Sequence, residues 1–154
     1  MVINSALEFR KLCPEIEFLL VEFFEILERK ETSQHFHPHP FTPEEAKKIC
    51  RYGGKDLYFV ALDRKRVLGY GMLRGWDEGY DVPSLGIVLH PDIRGIGLGK
   101  LFMHFLHVAA KLRAVKRIRL KVYPGNTIAV NLYKSLGYRY EGEKDGQLVG
   151  YIDL

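Results

Sequence analysis

A glycine-rich segment between two apolar stretches restricts the fold of this chain more than any other feature. Residues 94–100 read Arg-Gly-Ile-Gly-Leu-Gly-Lys; the apolar run 85–89 precedes them, and apolar residues recur every three or four positions from Leu101 to Leu112. The first pattern is typical of a buried strand, and the second is typical of an amphipathic helix. We therefore expect a strand, a loop whose backbone can approach a ligand closely, and a helix N-terminus that favours an anion.

The rest of the chain also alternates between strand and helix patterns. Strands are predicted at residues 6–12, 57–62, 67–73, 85–89, 118–122, 138–143 and 147–152, the last two around the turn Asp145-Gly146. Helices are predicted from Pro14 to about Lys30, from Pro43 to about Arg51 with Thr42 as cap, from 101 to 112, and from Asn126 to Leu136 with Gly137 as stop. The order β-α-α-β-β-β-α-β-α-β-β predicts a mixed-sheet α/β fold in a single domain over residues 1–154.

Composition excludes several classes of protein. With 154 residues, 47% hydrophobic and 27% charged, the chain fits one globular domain with a core and not a disordered, collagen-like or coiled-coil chain. The net charge of +4 is too small to indicate nucleic acid by itself. Glu22 and Glu25 interrupt the longest apolar run, and no secretory pattern opens the chain, so we expect a cytoplasmic protein that does not enter membranes. Cys13 and Cys50 form no CxxC motif and are expected to be reduced thiols.

Two common phosphate-binding motifs do not fit the glycine-rich segment. A Walker A loop requires glycine at position 94 and serine or threonine at 101, where arginine and leucine stand. A dinucleotide fingerprint requires glycine at position 100, which is lysine.

Residues 94–99 do match a third pattern, Arg-x-x-Gly-x-Gly after an apolar strand and His-Pro-Asp. This pattern resembles the acetyl-CoA loop of the GNAT superfamily of N-acetyltransferases. A second stretch resembles the other signature of that family, with Asn126, Ala129, Leu132, Tyr133, Leu136, Gly137 and Tyr138. The order of elements is also similar to that of the family over nearly the whole chain. The resemblance implies the GNAT fold and an acetyl-CoA-dependent enzyme that moves an acetyl group to a primary amine by direct attack in a ternary complex.

The resemblance also implies roles for individual residues. The cofactor is expected at the end of the strand before the loop, in the loop, and at the cap of the following helix: Ile87, Val88, Leu89, Arg94, Gly95, Ile96, Gly97, Leu98, Gly99, Lys100 and Asn126. Tyr133 is expected to protonate the departing thiolate. Since seven residues make about two helical turns, Asn126 and Tyr133 lie on one face of their helix. The alternatives are that Tyr133 is a tyrosine at the edge of the core, that Asn126 only caps its helix, and that Arg94 and Lys100 are solvated surface charges.

Two positions depart from the pattern of the family and leave the general base open. Lys121 stands where a subset of the family carries a glutamate that acts as general base; this subset includes enzymes that acetylate the N-termini of ribosomal proteins. Ser84 stands where many relatives carry an acidic residue. The remaining candidates lie in two loops that border the acceptor site in this family: Asp77, Glu78, His35, His37 and His39. We expect His37, Trp76, Asp77 and Glu78 at the acceptor, although Trp76 can equally pack on the sheet.

Other partners and activities are weighed on the same residues. The three histidines alternate with Phe36 and Pro38 and have no nearby acidic or cysteine partner, so no metal site is predicted. The basic run from Lys111 to Lys121 lacks an aromatic RNA-binding signature and is interpreted as a solvated face. The expected partner is a small-molecule or peptide amine, nucleic acid is not expected, and a homodimer is left open. The alternatives are a silent acyl-CoA-binding or sensor domain, an amino-sugar acceptor, or another acyl-CoA.

Overall fold

Seven strands and four helices alternate along residues 6–154, the part of the chain that this computed structural model describes. The strands are β1 (Leu7–Lys11), β2 (Leu57–Asp63), β3 (Arg66–Arg74), β4 (Ser84–Leu89), β5 (Arg117–Val122), β6 (Arg139–Lys144) and β7 (Gln147–Asp153). The helices are α1 (Glu17–Arg29), α2 (Pro43–Cys50), α3 (Leu98–Leu112) and α4 (Thr127–Ser135), with 3-10 turns at Pro14–Ile16 and Thr32–Gln34. The predicted order of elements and the predicted mixed-sheet fold are confirmed.

The strands form one sheet in the order β1-β2-β3-β4-β5-β7-β6. All neighbouring strands are antiparallel except β4 and β5, which are parallel and connected through α3. A parallel pair requires such a crossover, whereas the other neighbours can be joined by short turns. The carboxyl ends of β4 and β5 therefore lie at the same edge of the sheet, and α3 and α4 both start from that edge.

The two faces of the sheet carry separate apolar clusters. One cluster joins α1 and α2 to side chains of β2, β3 and β4, among them Val60, Tyr70 and Val88. The other joins α3 and α4 to the opposite face, with Phe102 and Leu106 of α3 fully buried. Within residues 6–154, the first cluster contains no side chain from β5, β6 or β7. On the sheet face where α1 and α2 pack, these two helices therefore leave the half formed by β5, β6 and β7 uncovered. No helix in this part of the chain has both the length and the apolar character that a bilayer crossing requires.

Three predicted helix boundaries rest on identifiable capping contacts. The backbone N–H of Glu45 donates to Oγ1 of Thr42 at 3.1 Å, which fixes the start of α2. The N–H of Ala129 donates to Oδ1 of Asn126 at 3.4 Å, which does the same for α4. Gly137 has a φ of +103° directly after α4, a conformation that ends helices and favours glycine.

Two helices begin at other residues than the apolar spacing predicts. The first turn after Pro14 is a 3-10 turn, and α1 itself starts at Glu17. In contrast, α3 starts earlier, at Leu98, because Gly97 adopts a left-handed φ of +86° and turns the chain directly into the helix. The buried side chain of Leu98 then lies one turn before Phe102 in the apolar stripe. Gly99 and Lys100 consequently belong to the first helical turn and not to the loop.

Candidate functional site

The parallel strands β4 and β5 separate along their length. Ser84 pairs with Arg119, and within residues 6–154 no further pair joins the two strands. Next to this pair, the N–H of Arg119 donates to the carbonyl of Pro83 at 3.0 Å. A wedge-shaped gap therefore opens between the strands toward their carboxyl ends.

Backbone groups of β4 point into this gap. Because the carbonyl of Pro83 faces β5 and backbone direction alternates along a strand, the N–H and C=O groups of Ile87 and the N–H of Leu89 also face β5. No strand pairing with β5 uses these groups within the described residues. Val88 differs: it lies opposite Tyr70 of β3 and its side chain is buried. Of the three β4 residues predicted to bind the cofactor, Ile87 and Leu89 thus present free backbone groups to the gap, and Val88 does not.

The glycine-rich loop lies at the open end of the gap. Gly95 and Gly97 have φ values of +72° and +86°, and apart from the adjacent residues no atom of residues 6–154 lies within 4 Å of a Cβ built on either glycine. The first α-helical bond of α3 runs from the N–H of Leu101 to the carbonyl of Gly97 at 3.1 Å, so the N–H groups of residues 98–100 have no helical partner. These donors, the helix dipole and the exposed cations Arg94 and Lys100 form a site suited to phosphate groups.

The loop, the end of β4 and the helix α4 meet at Gly99. A Cβ built on Gly99 would lie 3.4 Å from Cδ1 of Leu89 and 3.5 Å from Cδ2 of Leu132. Leu132 directly precedes Tyr133 in α4. The structure therefore brings the residues of the two sequence signatures together around one gap.

The hydroxyl of Tyr133 has no hydrogen-bond partner among the residues that the structure describes. Its side chain is 7% exposed, and burial raises its pKa well above the usual value. The hydroxyls of Tyr138 and Tyr140 bond to His107 and to the carbonyl of Val130, whereas the Tyr133 hydroxyl has no partner in residues 6–154. No side-chain polar atom in that range is both fully enclosed and unpaired, so this hydroxyl retains some accessible surface. It remains protonated at neutral pH and can donate.

A cavity lies beside the opposite end of β4, on the sheet face that α1 and α2 leave uncovered. It has a volume of about 900 Å³ and is bounded by loop 35–38, loop 74–82, the start of β4, and the face of β5 and β7. His37 and Glu78, two of the four predicted acceptor residues, line it together with His35. The ring of Phe36 packs on β4, 3.1 Å from the Cβ position of Gly86, and holds the histidine loop over the cavity.

The other two predicted acceptor residues do not line this cavity. Trp76 packs under the guanidinium of Arg113, with 4.6 Å from Cζ to the ring centroid, and lines a smaller depression. The carboxylate of Asp77 accepts a hydrogen bond from the N–H of Lys55 at 2.8 Å. The buried carboxylate of Asp56 accepts from the N–H of Trp76 at 2.9 Å and fixes the same loop. Both residues therefore stabilise the loop and do not face the cavity.

The three histidines of the first loop have different surroundings. Nε2 of His37 lies 2.7 Å from the hydroxyl of Tyr123, just beyond β5. Nδ1 of His39 donates to the carbonyl of Pro40 at 2.8 Å, so its Nε2 accepts from the hydroxyl of Tyr70 at 2.9 Å. Burial lowers the pKa of His39, which makes it a packed core contact and not a candidate base. Residues 6–154 contain no group of three or more His, Cys, Asp or Glu side chains placed to hold a metal ion.

The floor of the cavity carries cations that the sequence analysis did not assign to a site. Arg117, Arg119 and Lys121 alternate along β5 and all line the cavity, as does Arg74 at the end of β3. Their period-two spacing is visible in the sequence, but a solvated face has the same spacing. Only the placement of α1 and α2 decides that this face borders a cavity.

Comparison with known proteins agrees with this architecture. The model of the acetyltransferase (GNAT) family matches residues 20–138. An uncharacterized N-acetyltransferase, ycf52, of Porphyra purpurea is 30% identical over 73 residues, which cover 47% of this chain and 40% of that relative. The match thus spans less than half of the length of that relative.

Two solved structures share the fold over nearly their full length. The GNAT domain of S. lividans PAT has a TM-score of 0.81 at 14% identity, covering 97% of each chain. The PaiA N-acetyltransferase from Thermoplasma acidophilum, solved in complex with coenzyme A, has a TM-score of 0.78 at 17% identity, covering 97% of this chain and 99% of that one. Because the family model matches most of the chain and the same fold recurs in these structures, the chain belongs to the GNAT family of acetyltransferases.

Proposed function

We propose that the chain is a single N-acetyltransferase domain that transfers an acetyl group from acetyl-CoA to a primary amine. The observation that carries the proposal is the gap between β4 and β5, with the N-termini of α3 and α4 at its open end. Such a gap has free backbone donors along one wall and an anion-binding helix terminus at its mouth. A ligand with an extended amide-containing arm and a pyrophosphate matches both features.

In this proposal the cofactor follows the residues that the family resemblance implies. The pyrophosphate binds the backbone N–H groups and side chains of residues 94–100, and the arm lies along Ile87 and Leu89. Asn126 contacts the arm from the start of α4 in addition to capping the helix. The structure from Thermoplasma acidophilum was solved with coenzyme A on a similar fold, which supports a CoA ligand here.

The chemistry proposed is direct transfer. The neutral amine attacks the thioester carbon, and a backbone N–H in the gap stabilises the oxyanion of the tetrahedral intermediate. The C–S bond then breaks, the amide forms, and the hydroxyl of Tyr133 gives its proton to the leaving thiolate. The amine loses one proton to a base or to water. An acyl-enzyme is not part of the proposal, since burial raises the pKa of Cys50 in α2 to about 11 and leaves its thiol protonated.

Glu78 is the base that we propose. It lines the acceptor cavity, it is exposed, and it forms no ion pair within residues 6–154. Asp77 is held by Lys55, and His39 is held by Tyr70. His37 also lines the cavity, so we assign it a role in acceptor binding next to Tyr123.

A second candidate function is a silent acyl-CoA-binding domain. Lys121, a cation, stands on β5 at the position where some relatives carry a glutamate that acts as general base. This favours a domain that binds acyl-CoA without turnover. The experiment that separates the two is a turnover assay with acetyl-CoA and a panel of amines, which follows free CoA and the mass of the product. If acetylated product forms, and forms more slowly with Tyr133→Phe, the result supports the enzyme function. CoA binding by calorimetry without product from any amine supports the binding domain.

A further inference from the structure

We propose that the acceptor is a small molecule with a carboxylate or phosphate group in addition to its amine, and that Arg74 and Arg119 bind this anionic group. The inference rests on the proposed function, because it assigns the large cavity to the acceptor. It concerns the chemical class of the acceptor, which the transfer chemistry alone leaves open.

The first argument is the geometry of three neighbouring strands. Arg74 of β3 pairs with Ser84 of β4, which in turn pairs with Arg119 of β5. Residues opposite one another on neighbouring strands point to the same face of a sheet. The two arginines thus stand in one row on either side of Ser84, with Cα atoms about 10 Å apart at two strand spacings. Both line the cavity, and guanidinium groups on such long side chains can converge on one anion.

The second argument is the state of the charges. Arg74 donates to the carbonyl of Pro38 at 3.0 Å, and neither Arg74 nor Arg119 has a carboxylate partner in residues 6–154. Arg117, two residues before Arg119, differs because its Nε lies 2.9 Å from Oδ1 of Asp153. Both unpaired arginines are half-buried, and a partly desolvated cation gains from a bound anion. Lys121, also without an ion pair, adds positive charge on the same side of β5.

The third argument is distance from the cofactor phosphates. Arg74 and Arg119 lie level with Ser84, the first residue of β4, whereas the glycine-rich loop follows the last residue, Leu89. The five residue steps from Ser84 to Leu89 span about 17 Å. Arg74 and Arg119 are therefore too far from the loop to serve the pyrophosphate, and they form a second anion site.

The lining of the cavity also carries negative charge. The loop after β3 contributes Glu78 and Asp81, and neither forms an ion pair within the described residues. An acceptor whose amine contacts these carboxylates and whose anionic group contacts Arg74 and Arg119 matches both charges. The volume of about 900 Å³ is within the range of small-molecule sites, which favours a small acceptor over an acidic protein segment.

The test compares acceptors that differ only in the anionic group. Pairs are O-phosphoethanolamine against ethanolamine, glucosamine 6-phosphate against glucosamine, and β-alanine against its amide; the phosphate and carboxylate pairs distinguish the two sources of charge. We expect kcat/KM to be at least 10-fold higher for the anionic member of at least one pair. Arg119→Gln should remove most of that preference, whereas the matched control Arg117→Gln, next to it on β5, should retain it. Equal kcat/KM within every pair, an unchanged preference in Arg119→Gln, or preferential acetylation of acidic peptides would overturn the inference.

A binding measurement separates failure of this inference from failure of the proposed function. If no amine is acetylated, the same anionic compounds are titrated into the cofactor-free protein by calorimetry. Binding that weakens at least 5-fold in Arg119→Gln and not in Arg117→Gln supports the anion site, even though the enzyme proposal has failed. No binding of any anionic compound, or equal binding by all three proteins, contradicts the anion site.

Discussion

Ser84 of β4 lies opposite Arg119 of β5, and beyond this pair the two strands separate. Two spaces with different chemistry adjoin this pair. Toward the carboxyl ends of the strands lies the gap with the free backbone groups of β4 and the glycine-rich loop. On one face of the sheet around the pair lies the cavity with its cationic floor and the carboxylates of the loop after β3. A donor in the gap and an acceptor in the cavity would meet beside Gly86 and Ile87.

The first prediction concerns phosphate binding at Gly97. Gly97→Val places a side chain where no described residue other than its chain neighbours comes within 4 Å of the Cβ position, at a φ of +86°. We expect CoA affinity to fall at least 10-fold, because the side chain enters the space of the phosphates. The left-handed conformation should also lower the free energy of unfolding by about 1–2 kcal/mol. Calorimetry with CoA and urea denaturation measure the two effects.

The matched control for this prediction is Gly79→Val. Gly79 has the same φ of +86° and equally open surroundings, but it lies in the loop after β3. We expect a similar loss of stability with CoA affinity within twofold of the wild type. If Gly97→Val remains folded and binds CoA as the wild type does, residues 94–100 do not bind the phosphates.

The order of elements was predictable because each segment carries its own local signal. Thr42 and Asn126 accept backbone hydrogen bonds as the caps that their residue types predict, and Gly137 ends α4 with a positive φ. The start of α3 was predicted three residues too late. Its position depends on the backbone conformation of Gly97, which the sequence permits but does not require.

The cationic cavity was not predictable in the same way. Arg117, Arg119 and Lys121 alternate, but alternation says only that they share a face. That this face is uncovered by α1 and α2 is a property of the tertiary packing. Trp76 and Asp77 have the residue types of an acceptor site. Their contacts with Arg113 and Lys55, both distant in sequence, could not be read from the sequence.

The second prediction concerns Tyr133 as general acid. Tyr133→Phe removes only the unpaired hydroxyl, so packing should persist, and we expect kcat to fall about 100-fold with CoA affinity nearly unchanged. This corresponds to about 3 kcal/mol of barrier. Because burial raises the pKa of Tyr133 well above its usual value, the hydroxyl should add no limb to the pH profile of kcat near neutrality.

A matched tyrosine tests whether loss of any nearby hydroxyl has this effect. The hydroxyl of Tyr140 donates to the carbonyl of Val130 in α4 at 2.8 Å, so Tyr140→Phe removes a structural contact. We expect it to change kcat less than 5-fold. A Tyr133→Phe enzyme with wild-type kcat, in a reaction where chemistry is rate-limiting, would make Tyr133 a packing residue only.

The third prediction concerns stability in acid. Nε2 of His107 lies 2.8 Å from the hydroxyl of Tyr138, and burial, with a smaller effect from His104 and Lys111, lowers the pKa of His107 to about 4. The unfolded chain, with a histidine pKa of about 6.5, binds more protons between these values. The contribution of His107 is therefore complete above pH 6.5 and is lost as the pH falls toward 4.

His107→Gln removes this titration and retains a polar group for Tyr138. Between pH 7 and pH 4, the wild type should lose about 3 kcal/mol more unfolding free energy than His107→Gln, as measured by urea denaturation. The exposed neighbour His104 provides the control, since His104→Gln should have nearly the pH dependence of the wild type. Parallel stability curves for the wild type and His107→Gln would contradict the shifted pKa.

The last prediction concerns Glu78 as general base. Glu78→Gln keeps the size of the side chain and its place in the cavity wall but cannot accept a proton, so the rising limb of kcat/KM with pH should move or disappear. Asp77→Asn is the matched control: its carboxylate accepts a hydrogen bond from Lys55 outside the cavity, so the limb should remain at its wild-type pH. Initial rates with one amine across the pH range measure both. If neither variant changes the limb, the assignment of Glu78 is wrong, and the proton leaves through Asp81, the other carboxylate of this loop that lines the cavity, through water, or from the free amine before it binds. If Asp77→Asn alone changes the limb, Asp77 is the base and the assignment of Glu78 is wrong.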